Sequence, residues 1–323
     1  MPYTRPLLGL FIGVLSIALL SIVGSHDLVA DEGEARSANK AKDLVVQTRR
    51  RVNTGAGRSN VVTDSAAWAP TRTAIIVCDM WDTHTCKGAA GRVAEMAPAV
   101  NRTLRAARKK GVFIIHAPSG TMGKYKDTPE RQRAVQAPLS KAPVEIKWNY
   151  WDTEREGEEF TTIAHGGCAC PKPCPNFVED EAGIRKWQRG PELPWSRQIE
   201  TIRIESEDAV SDNGQEVFNL LEARNIQNVI LMGGHTNICV SGRPFGLRQM
   251  SYHGKNVVLC RDLTDSLIQA TVPGIDQFRG TEIVVEHIEK HICPTITSRS
   301  ITGAPEFRFE GSGSGAIVGG SNR

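Results

Sequence analysis

Short runs of β-branched and aliphatic residues alternate along the chain with segments of mixed polarity. Most of these runs are continuous rather than alternating, which is typical of strands buried on both faces of a parallel sheet. Strand-forming and helix-forming patterns that alternate over short links predict an α/β fold with a doubly wound, six-stranded parallel sheet. The six predicted strands are TAIIVC (73–78), VFIIH (112–116), TIRIE (201–205), NVILMG (228–233), NVVLC (256–260) and TEIVVE (281–286).

Two helices are the clearest of those predicted between the strands. After the first run, Val93, Met96, Val100 and Leu104 recur at spacings of three and four, which predicts one buried helical face that ends before Gly111. Before the fourth run, Asp212 and Gln215 resemble a capping box that would begin a second helix. TIRIE alternates, so we expect it to form an edge strand.

The remaining pattern divides the chain into segments. Residues 26–70 are polar and predict a flexible linker, and the Gly/Ser-rich residues 310–323 predict a flexible tail. A single folded domain is therefore expected over 71–309. Within it, residues 117–200 carry many Pro and Gly residues with weak periodicity, which predicts a long cysteine-containing insertion beside the carboxyl edge of the sheet.

The N-terminal segment predicts export. Arg5 precedes an uncharged apolar run over 7–23, and small residues follow it, which is the pattern of a signal peptide over residues 1–25. An uncleaved membrane anchor is the alternative, and only in that case would the protein contact a membrane. Either reading places the folded domain in the periplasm or outside the cell, where disulfides are common.

Composition excludes some functions. The 323 residues include 39 Lys and Arg against 36 Asp and Glu, and this small net charge of +3 is spread along the chain. Such a balance gives no electrostatic basis for a nucleic-acid-binding protein. We expect a small-molecule ligand or substrate instead.

Two residues that follow predicted strands are candidates for chemistry. Ligands of open α/β sheets bind at the carboxyl ends of the strands. Asp79 follows the first strand, in CDMWD, and Cys239 follows the fourth strand, in GGHTNICV. At the start of a helix, Cys239 would have a lowered thiol pKa and backbone N–H groups near it, and Asp79 would accept its proton.

These two motifs resemble those of the isochorismatase-like cysteine hydrolases. IIVCDMWD is similar to the family's first-strand motif, and GGHTNICV is similar to its nucleophile motif. The resemblance extends over about residues 71–290 and implies Asp79 as general base and Cys239 as nucleophile. It also implies a cis peptide bond at Gly234–His235, before Thr236. The backbone N–H groups of His235 and Cys239 would then form the oxyanion hole.

The third catalytic residue is where the sequence departs from the family. The family has a Lys at the end of the third strand, but here that predicted strand ends at Glu205. Lys147 is the alternative, although its use would require a very long insertion before the next helix. We expect Glu205 to be the third catalytic residue, with a proton shared between it and Asp79.

The resemblance implies a hydrolase that cleaves a C–N bond of a small amide or carbamoyl compound through a thioester on Cys239. An isochorismatase-type vinyl-ether hydrolase and a catalytically inactive binding protein of the same fold are the alternatives, the latter because the family's Lys is missing. A homo-oligomer is also plausible by resemblance. The candidate substrate contacts are Trp81, Asp82, His84, His116 and Arg243.

The chain has eight cysteines, and three of them lie close together in the insertion. No cofactor is expected for catalysis, because the metal ligands that nicotinamidases of this family carry after the second strand are missing. Cys168, Cys170 and Cys174, with His165, are candidates for a structural zinc site. Disulfide bonds are the competing interpretation for an exported chain.

Overall fold

The structure is a computed structural model that describes residues 43–55, 58–157, 163–172, 174–190 and 192–312. The predicted leader, the first part of the predicted linker and most of the predicted tail lie outside these residues. Within them, no helix is both long enough and apolar enough to cross a bilayer.

The strands are β1 (Leu44–Gly55), β2 (Arg58–Trp68), β3 (Thr73–Cys78), β4 (Phe113–Ala117), β5 (Ile163–His165), β6 (Phe177–Glu179), β7 (Arg185–Trp187), β8 (Ala209–Val210), β9 (Asn228–Gly234), β10 (Asn256–Asp265), β11 (Ile268–Ala270) and β12 (Thr295–Ile296). The helices are α1 (Lys87–Lys110), α2 (Met122–Tyr125), α3 (Pro129–Val135), α4 (Thr153–Glu156), α5 (Gly214–Ala223), α6 (Leu247–Tyr252), α7 (Gln277–His291) and α8 (Arg299–Thr302).

The main sheet has eight strands in the order β2-β1-β12-β10-β9-β3-β4-β8. All neighbours from β12 to β8 are parallel, so the predicted six-stranded parallel sheet is confirmed. Alternate residues of a strand point to opposite faces of the sheet, so β3 contributes side chains to the hydrophobic core on each face. Ile75 and Val77 pack in the cluster that contains α1, whereas Ala74 and Ile76 pack in the cluster that contains α5, α6 and α7.

Two of the six predicted strands were wrong. TIRIE (201–205) forms no strand, and the edge position is taken by β8 a few residues later. TEIVVE lies inside α7, whose N-cap Asp276 accepts a hydrogen bond from the Arg279 N–H. Val284 and Ile288 are buried on one face of α7, so tertiary packing outweighs the β-propensity of this run. The last parallel strand is instead the short β12.

Part of the predicted linker is also structured. Within residues 26–70, β1 and β2 form an antiparallel hairpin, and β1 continues the sheet by pairing with β12 at Arg49 and Thr295. Leu44 and Val46 are buried on one side of the hairpin. The polar character of both strands concealed them, because most of their residues remain in contact with solvent.

The insertion between residues 117 and 200 is built from short elements near the carboxyl edge of the sheet. It carries α2, α3, α4 and the strands β5, β6 and β7. β5 pairs with β11, which follows the carboxyl end of β10, and β6 pairs with β7. A further bridge joins Trp81 to Gln198. These contacts position the insertion over the strand ends that carry Asp79 and Cys239.

Candidate active site

Asp79 and Cys239 lie at the carboxyl ends of the adjacent strands β3 and β9. Asp79 is buried and has a left-handed backbone with φ 46°, a conformation that Asp tolerates better than most residues. Its carboxylate accepts a hydrogen bond of 2.8 Å from the Ser119 N–H. Cys239 lies in a short π-helical turn over Thr236–Val240. The order of the strands thus brings together two residues that are 160 positions apart.

A glycine permits this close approach. Gly233, near the end of β9, has φ 113°, and a Cβ atom at this position would lie 2.0 Å from the carbonyl oxygen of Cys78. Any other residue would therefore push β3 and β9 apart immediately beside Asp79.

Arg243 is the cation of the site. Its Nε and Nη2 atoms lie 3.1 Å and 3.0 Å from Oδ2 of Asp79. The backbone places it there, because the Arg243 N–H donates to the Cys239 carbonyl oxygen one turn earlier. Its guanidinium also lies over the Trp148 ring, 4.9 Å from the centroid. We predicted Arg243 as a substrate contact, but the structure pairs it with Asp79.

Neither predicted third catalytic residue contacts this pair. Glu205 is exposed, and its backbone N–H donates to the Asp208 carboxylate. Lys147 is exposed as well and pairs with Glu145 at 3.3 Å. The prediction of Glu205 was wrong because TIRIE forms no strand, so that segment does not end beside Asp79. The position of Arg243 four residues after Cys239 was the signal that could have identified the cation.

The pKa of the Cys239 thiol is raised, whereas the sequence predicted a lowered pKa. Burial, and then the negative charge of Asp79, raise the pKa of Cys239. Arg243 and the backbone N–H of His235 act in the opposite direction but do not compensate. Cys239 is therefore a neutral thiol whose side chain interacts with the Asp79 carboxylate. The short turn that carries it is too weak a helix end to reverse the effect of burial.

The turn before Cys239 has the geometry that the family resemblance implied. The peptide bond between Gly234 and His235 is cis. Thr236 is buried, and its hydroxyl lies 2.7 Å from the Thr264 hydroxyl on β10. His235 is also buried, and burial holds its pKa well below the ordinary value, so its ring is neutral.

A cavity of about 380 Å³ opens beside Cys239. Its wall is aromatic, and four of the six tryptophans of the chain line it. Trp195 stacks with Trp81, at 4.1 Å between ring centroids, and with His84, at 5.3 Å. Asp79 is not among the lining residues, but Ser119, Cys239 and Arg243, which interact with it, all line the cavity. The lining residues are Trp81, His84, Ser119, Gly120, Trp148, Trp187, Arg189, Leu193, Trp195, His235, Ile238, Cys239, Arg243 and Leu267.

The other predicted substrate contacts divide into two groups. Trp81 and His84 line the cavity, whereas Asp82 and His116 do not. Asp82 accepts hydrogen bonds from the backbone and hydroxyl of Ser196, and so holds the end of the insertion in place. His116 is fully buried, and its ring nitrogens contact Gln198 at 2.9 Å and Asp208 at 3.0 Å. Both residues therefore support the fold around the cavity.

The cysteines of the insertion meet a fourth thiol. The sulfur atoms of Cys86, Cys168, Cys170 and Cys174 all lie within 4.8 Å of one another. The predicted fourth member, His165, instead contacts Asn237 at 3.1 Å. All eight cysteines have free thiols, and the sulfur of Cys86 lies 3.7 Å from Cys168 and 3.5 Å from Cys170, far beyond a disulfide bond. The sequence did not indicate that Cys86 joins the three cysteines of the insertion, because it is 82 residues from Cys168.

Comparison with known proteins gives distant structural matches. No sequence profile of a known family matches the chain. A cysteine hydrolase from Pseudomonas syringae pv. phaseolicola is 18% identical with a TM-score of 0.43, and the match covers 72% of this chain and 92% of that one. An isochorismatase from Pseudomonas putida is 12% identical with a TM-score of 0.41, over 72% and 91% of the two chains. An isochorismatase family protein from Burkholderia thailandensis is 12% identical with a TM-score of 0.36, over 72% and 95%. At this similarity, the residues of the site itself decide which function we propose.

Proposed function

We propose that the protein is an exported cysteine hydrolase that cleaves the C–N bond of a small amide or carbamoyl compound. One observation carries the proposal: at the ends of neighbouring strands, the buried Asp79 carboxylate interacts with the Cys239 thiol and pairs with Arg243 at 3.0 Å. A thiol, an adjacent base and a third group that orients the base are the parts that nucleophilic catalysis requires. The motifs IIVCDMWD and GGHTNICV resemble those of a hydrolase family that uses this chemistry.

The proposed reaction has two steps. Asp79 takes the proton of Cys239 as the sulfur bonds to the carbonyl carbon, and the negative charge moves to the carbonyl oxygen. The backbone N–H groups of His235 and Cys239 are the proposed donors to that oxygen. The oxyanion then collapses, the C–N bond breaks, and Asp79 returns the proton to the leaving nitrogen.

Water completes the turnover. Asp79, again ionised, takes a proton from water as its oxygen attacks the thioester carbon. The carbon–sulfur bond breaks, the carboxylic or carbamic acid leaves, and Cys239 recovers its proton from Asp79. Because the resting thiol is neutral, proton transfer and attack are expected to occur together rather than from a preformed thiolate.

The lining of the cavity indicates the substrate class. Among the described residues, tryptophan faces and no carboxylate line the cavity, which favours a planar, uncharged or anionic compound. Arg189 is exposed at the cavity, where it would bind an anionic substituent. The same arginine favours a vinyl-ether hydrolase with a carboxylate substrate as the second candidate function. The alternative of a catalytically inactive binding protein was based on the missing Lys of the family. It loses that support if Arg243 acts as the cation beside Asp79.

The test is hydrolysis by the mature protein and two variants. Ammonia release is measured over a panel of planar aromatic amides, carbamoyl compounds and ureas, and release of the carbonyl product from a carboxylated vinyl ether is measured in parallel. Cys239→Ala is expected to abolish turnover of any accepted substrate, and intact-mass measurement of wild-type protein during turnover should detect an acyl adduct on Cys239. The matched control is Cys293→Ala, which removes a buried thiol outside the cavity lining and should keep wild-type rates.

Equal rates in wild type and Cys239→Ala would contradict the proposal. Turnover of the vinyl ether alone would favour the second candidate. Export is tested separately, by fractionating cells and sequencing the N-terminus of the mature chain, because a signal peptide predicts a new terminus near residue 26 and an anchor predicts none. A homo-oligomer is likewise proposed, and light scattering of the purified protein tests it.

A further inference from the structure

The four cysteine sulfurs beside the cavity have the spacing of a metal site. Zinc bound by four thiolates is tetrahedral with Zn–S bonds of about 2.3 Å, which places the sulfurs about 3.8 Å apart. Here the Cys86 sulfur lies 3.7 Å from Cys168 and 3.5 Å from Cys170, and all four lie within 4.8 Å of one another. One ion at the centre of the four atoms would reach all of them.

Backbone donors point at these sulfurs. The Lys87 N–H lies 3.2 Å from the Cys174 sulfur, and the Gly88 N–H lies 3.3 Å from the Cys170 sulfur. Gly88 allows this approach, because a Cβ at that position would lie 3.1 Å from the same sulfur. N–H groups aimed at sulfur stabilise thiolates rather than thiols, and thiolate is the form that binds metal.

The surroundings also favour a negatively charged group. Cys86 is the N-cap of the 24-residue helix α1, which has no acidic residue in its first turn and no side-chain cap. Zinc with four thiolates has a net charge of about −2, and the N-terminus of a long helix stabilises negative charge. The guanidinium of Arg92 pairs with Asp265 at 2.8 Å and also interacts electrostatically with Cys86 and Cys170. Buried Ala89, Phe177 and Leu267 pack against the cluster.

We propose that the protein binds one zinc ion through Cys86, Cys168, Cys170 and Cys174, and that this ion holds the insertion against the start of α1. Four protein ligands leave no open coordination position, so the role is structural. None of the four cysteines lines the cavity beside Cys239. Cys86 comes two residues after His84, whereas Cys168 and Cys170 precede Trp187 and Trp195. The ion would therefore fix both sides of the cavity wall relative to each other.

Metal content tests the proposal without any assay of hydrolysis. The mature protein is purified under reducing conditions, and its zinc content is measured by inductively coupled plasma mass spectrometry. About one ion per chain is expected for the wild type, and less than about a tenth of that for Cys86→Ser and Cys170→Ser. Cys293→Ser and Cys260→Ser remove buried thiols outside the cluster and should retain about one ion.

A second measurement serves in case a variant does not fold. The thiols of wild-type protein are titrated stepwise with a mercurial reagent, and the zinc released is measured with a colorimetric zinc indicator. One ion released for every four thiols titrated supports the site, and Co²⁺ in its place should give the charge-transfer absorption of a tetrahedral thiolate complex. Wild-type protein that holds no zinc would overturn the proposal, whatever number of its thiols react. If only four of the eight thiols react after denaturation in a sample purified without reductant, two disulfides are present instead. Unchanged zinc in Cys86→Ser would overturn it too.

Discussion

Arg243 and the buried Asp79 form an ion pair in which two guanidinium nitrogens lie 3.1 Å and 3.0 Å from one carboxylate oxygen. The arginine follows Cys239 by four residues, so one short segment carries both the nucleophile and the cation that orients its base. The other oxygen of Asp79 accepts from the Ser119 N–H. With both oxygens engaged, the carboxylate has a fixed direction toward the Cys239 thiol.

Arg243→Gln is expected to lower kcat/KM by about 100-fold or more, because Asp79 loses the group that orients it. The free energy of unfolding should fall by about 3 kcal/mol, since a buried carboxylate remains without its partner. Steady-state kinetics and urea unfolding measure the two effects. Glu205→Gln and Lys147→Met are the controls, and both should keep kcat/KM within about twofold because those side chains are exposed. A large loss in Glu205→Gln with none in Arg243→Gln would restore the original sequence prediction.

Asp79→Asn should change two properties of Cys239 in opposite directions. Hydrolysis is expected to fall by about 100-fold or more, because the base is lost. The negative charge of Asp79 raises the pKa of Cys239, so its removal should lower that pKa and accelerate alkylation by iodoacetamide at mildly alkaline pH. Peptide mapping after timed alkylation, repeated across pH, measures this change.

The control for that experiment is Asp82→Asn, which removes a nearby carboxylate that holds Ser196 and has no contact with Cys239. Its alkylation profile should match the wild type. If alkylation of Cys239 slows in Asp79→Asn, then Asp79 does not act on the thiol as proposed.

Trp148→Ala is expected to weaken substrate binding while leaving stability almost unchanged. Trp148 lines the cavity and covers Arg243, yet 46% of its surface is exposed. Loss of one aromatic wall should raise KM by about tenfold, equivalent to about 1.4 kcal/mol, with a smaller effect on kcat. The melting temperature should stay close to that of the wild type. Val178→Ala removes an apolar side chain of similar exposure outside the cavity lining, and it should leave KM unaltered.

Glu156 should make stability depend on acid pH. Burial alone raises the pKa of Glu156, but hydrogen bonds from His287 and Arg248 outweigh it and lower the pKa to about 2, from an ordinary 4.5. A carboxyl group with a lowered pKa in the folded state stabilises the protein above the unfolded value. This contribution, roughly 3 kcal/mol, is lost as the pH falls from about 4.5 toward 2.

Urea unfolding of wild type and Glu156→Gln at several pH values measures that contribution. The variant should be less stable at pH 7, and the difference should narrow steadily in acid. Glu200→Gln alters an exposed ion pair with Arg197 and should differ little from the wild type at any pH. A difference that stays constant down to pH 3 would show that the charge of Glu156 is not responsible.

The sequence was sufficient for the central strands because β3, β4, β9 and the first half of β10 are largely apolar runs, which are typical of a sheet covered on both faces. It was insufficient at the edges. TEIVVE has strand-forming residues, yet Val284 and Ile288 are spaced for one helical face, and a short run satisfies both patterns. The hairpin of β1 and β2 is largely polar, so its pairing with β12 left little hydrophobic signal.

The site shows the same division. Asp79 and Cys239 follow strong strands, so their meeting at the sheet edge could be predicted from topology. The ion pair with Arg243 depends on how the chain turns after Cys239, and the meeting of Cys86 with Cys168 depends on where the insertion folds back. Contacts of this kind arise from tertiary packing over 82 or more residues and have no local pattern.

Gly233 has a practical consequence for anyone who wishes to alter this protein. A Cβ atom there would lie 2.0 Å from the Cys78 carbonyl oxygen, which precedes Asp79 directly. A mutant library built to change the specificity of the aromatic cavity should therefore leave codon 233 unchanged. Substitutions at Trp148, Trp187 and Arg189 would change exposed residues of the cavity lining and so the ligands that the cavity accepts. Substitutions at position 233 would mainly yield proteins in which the base and the thiol no longer lie together.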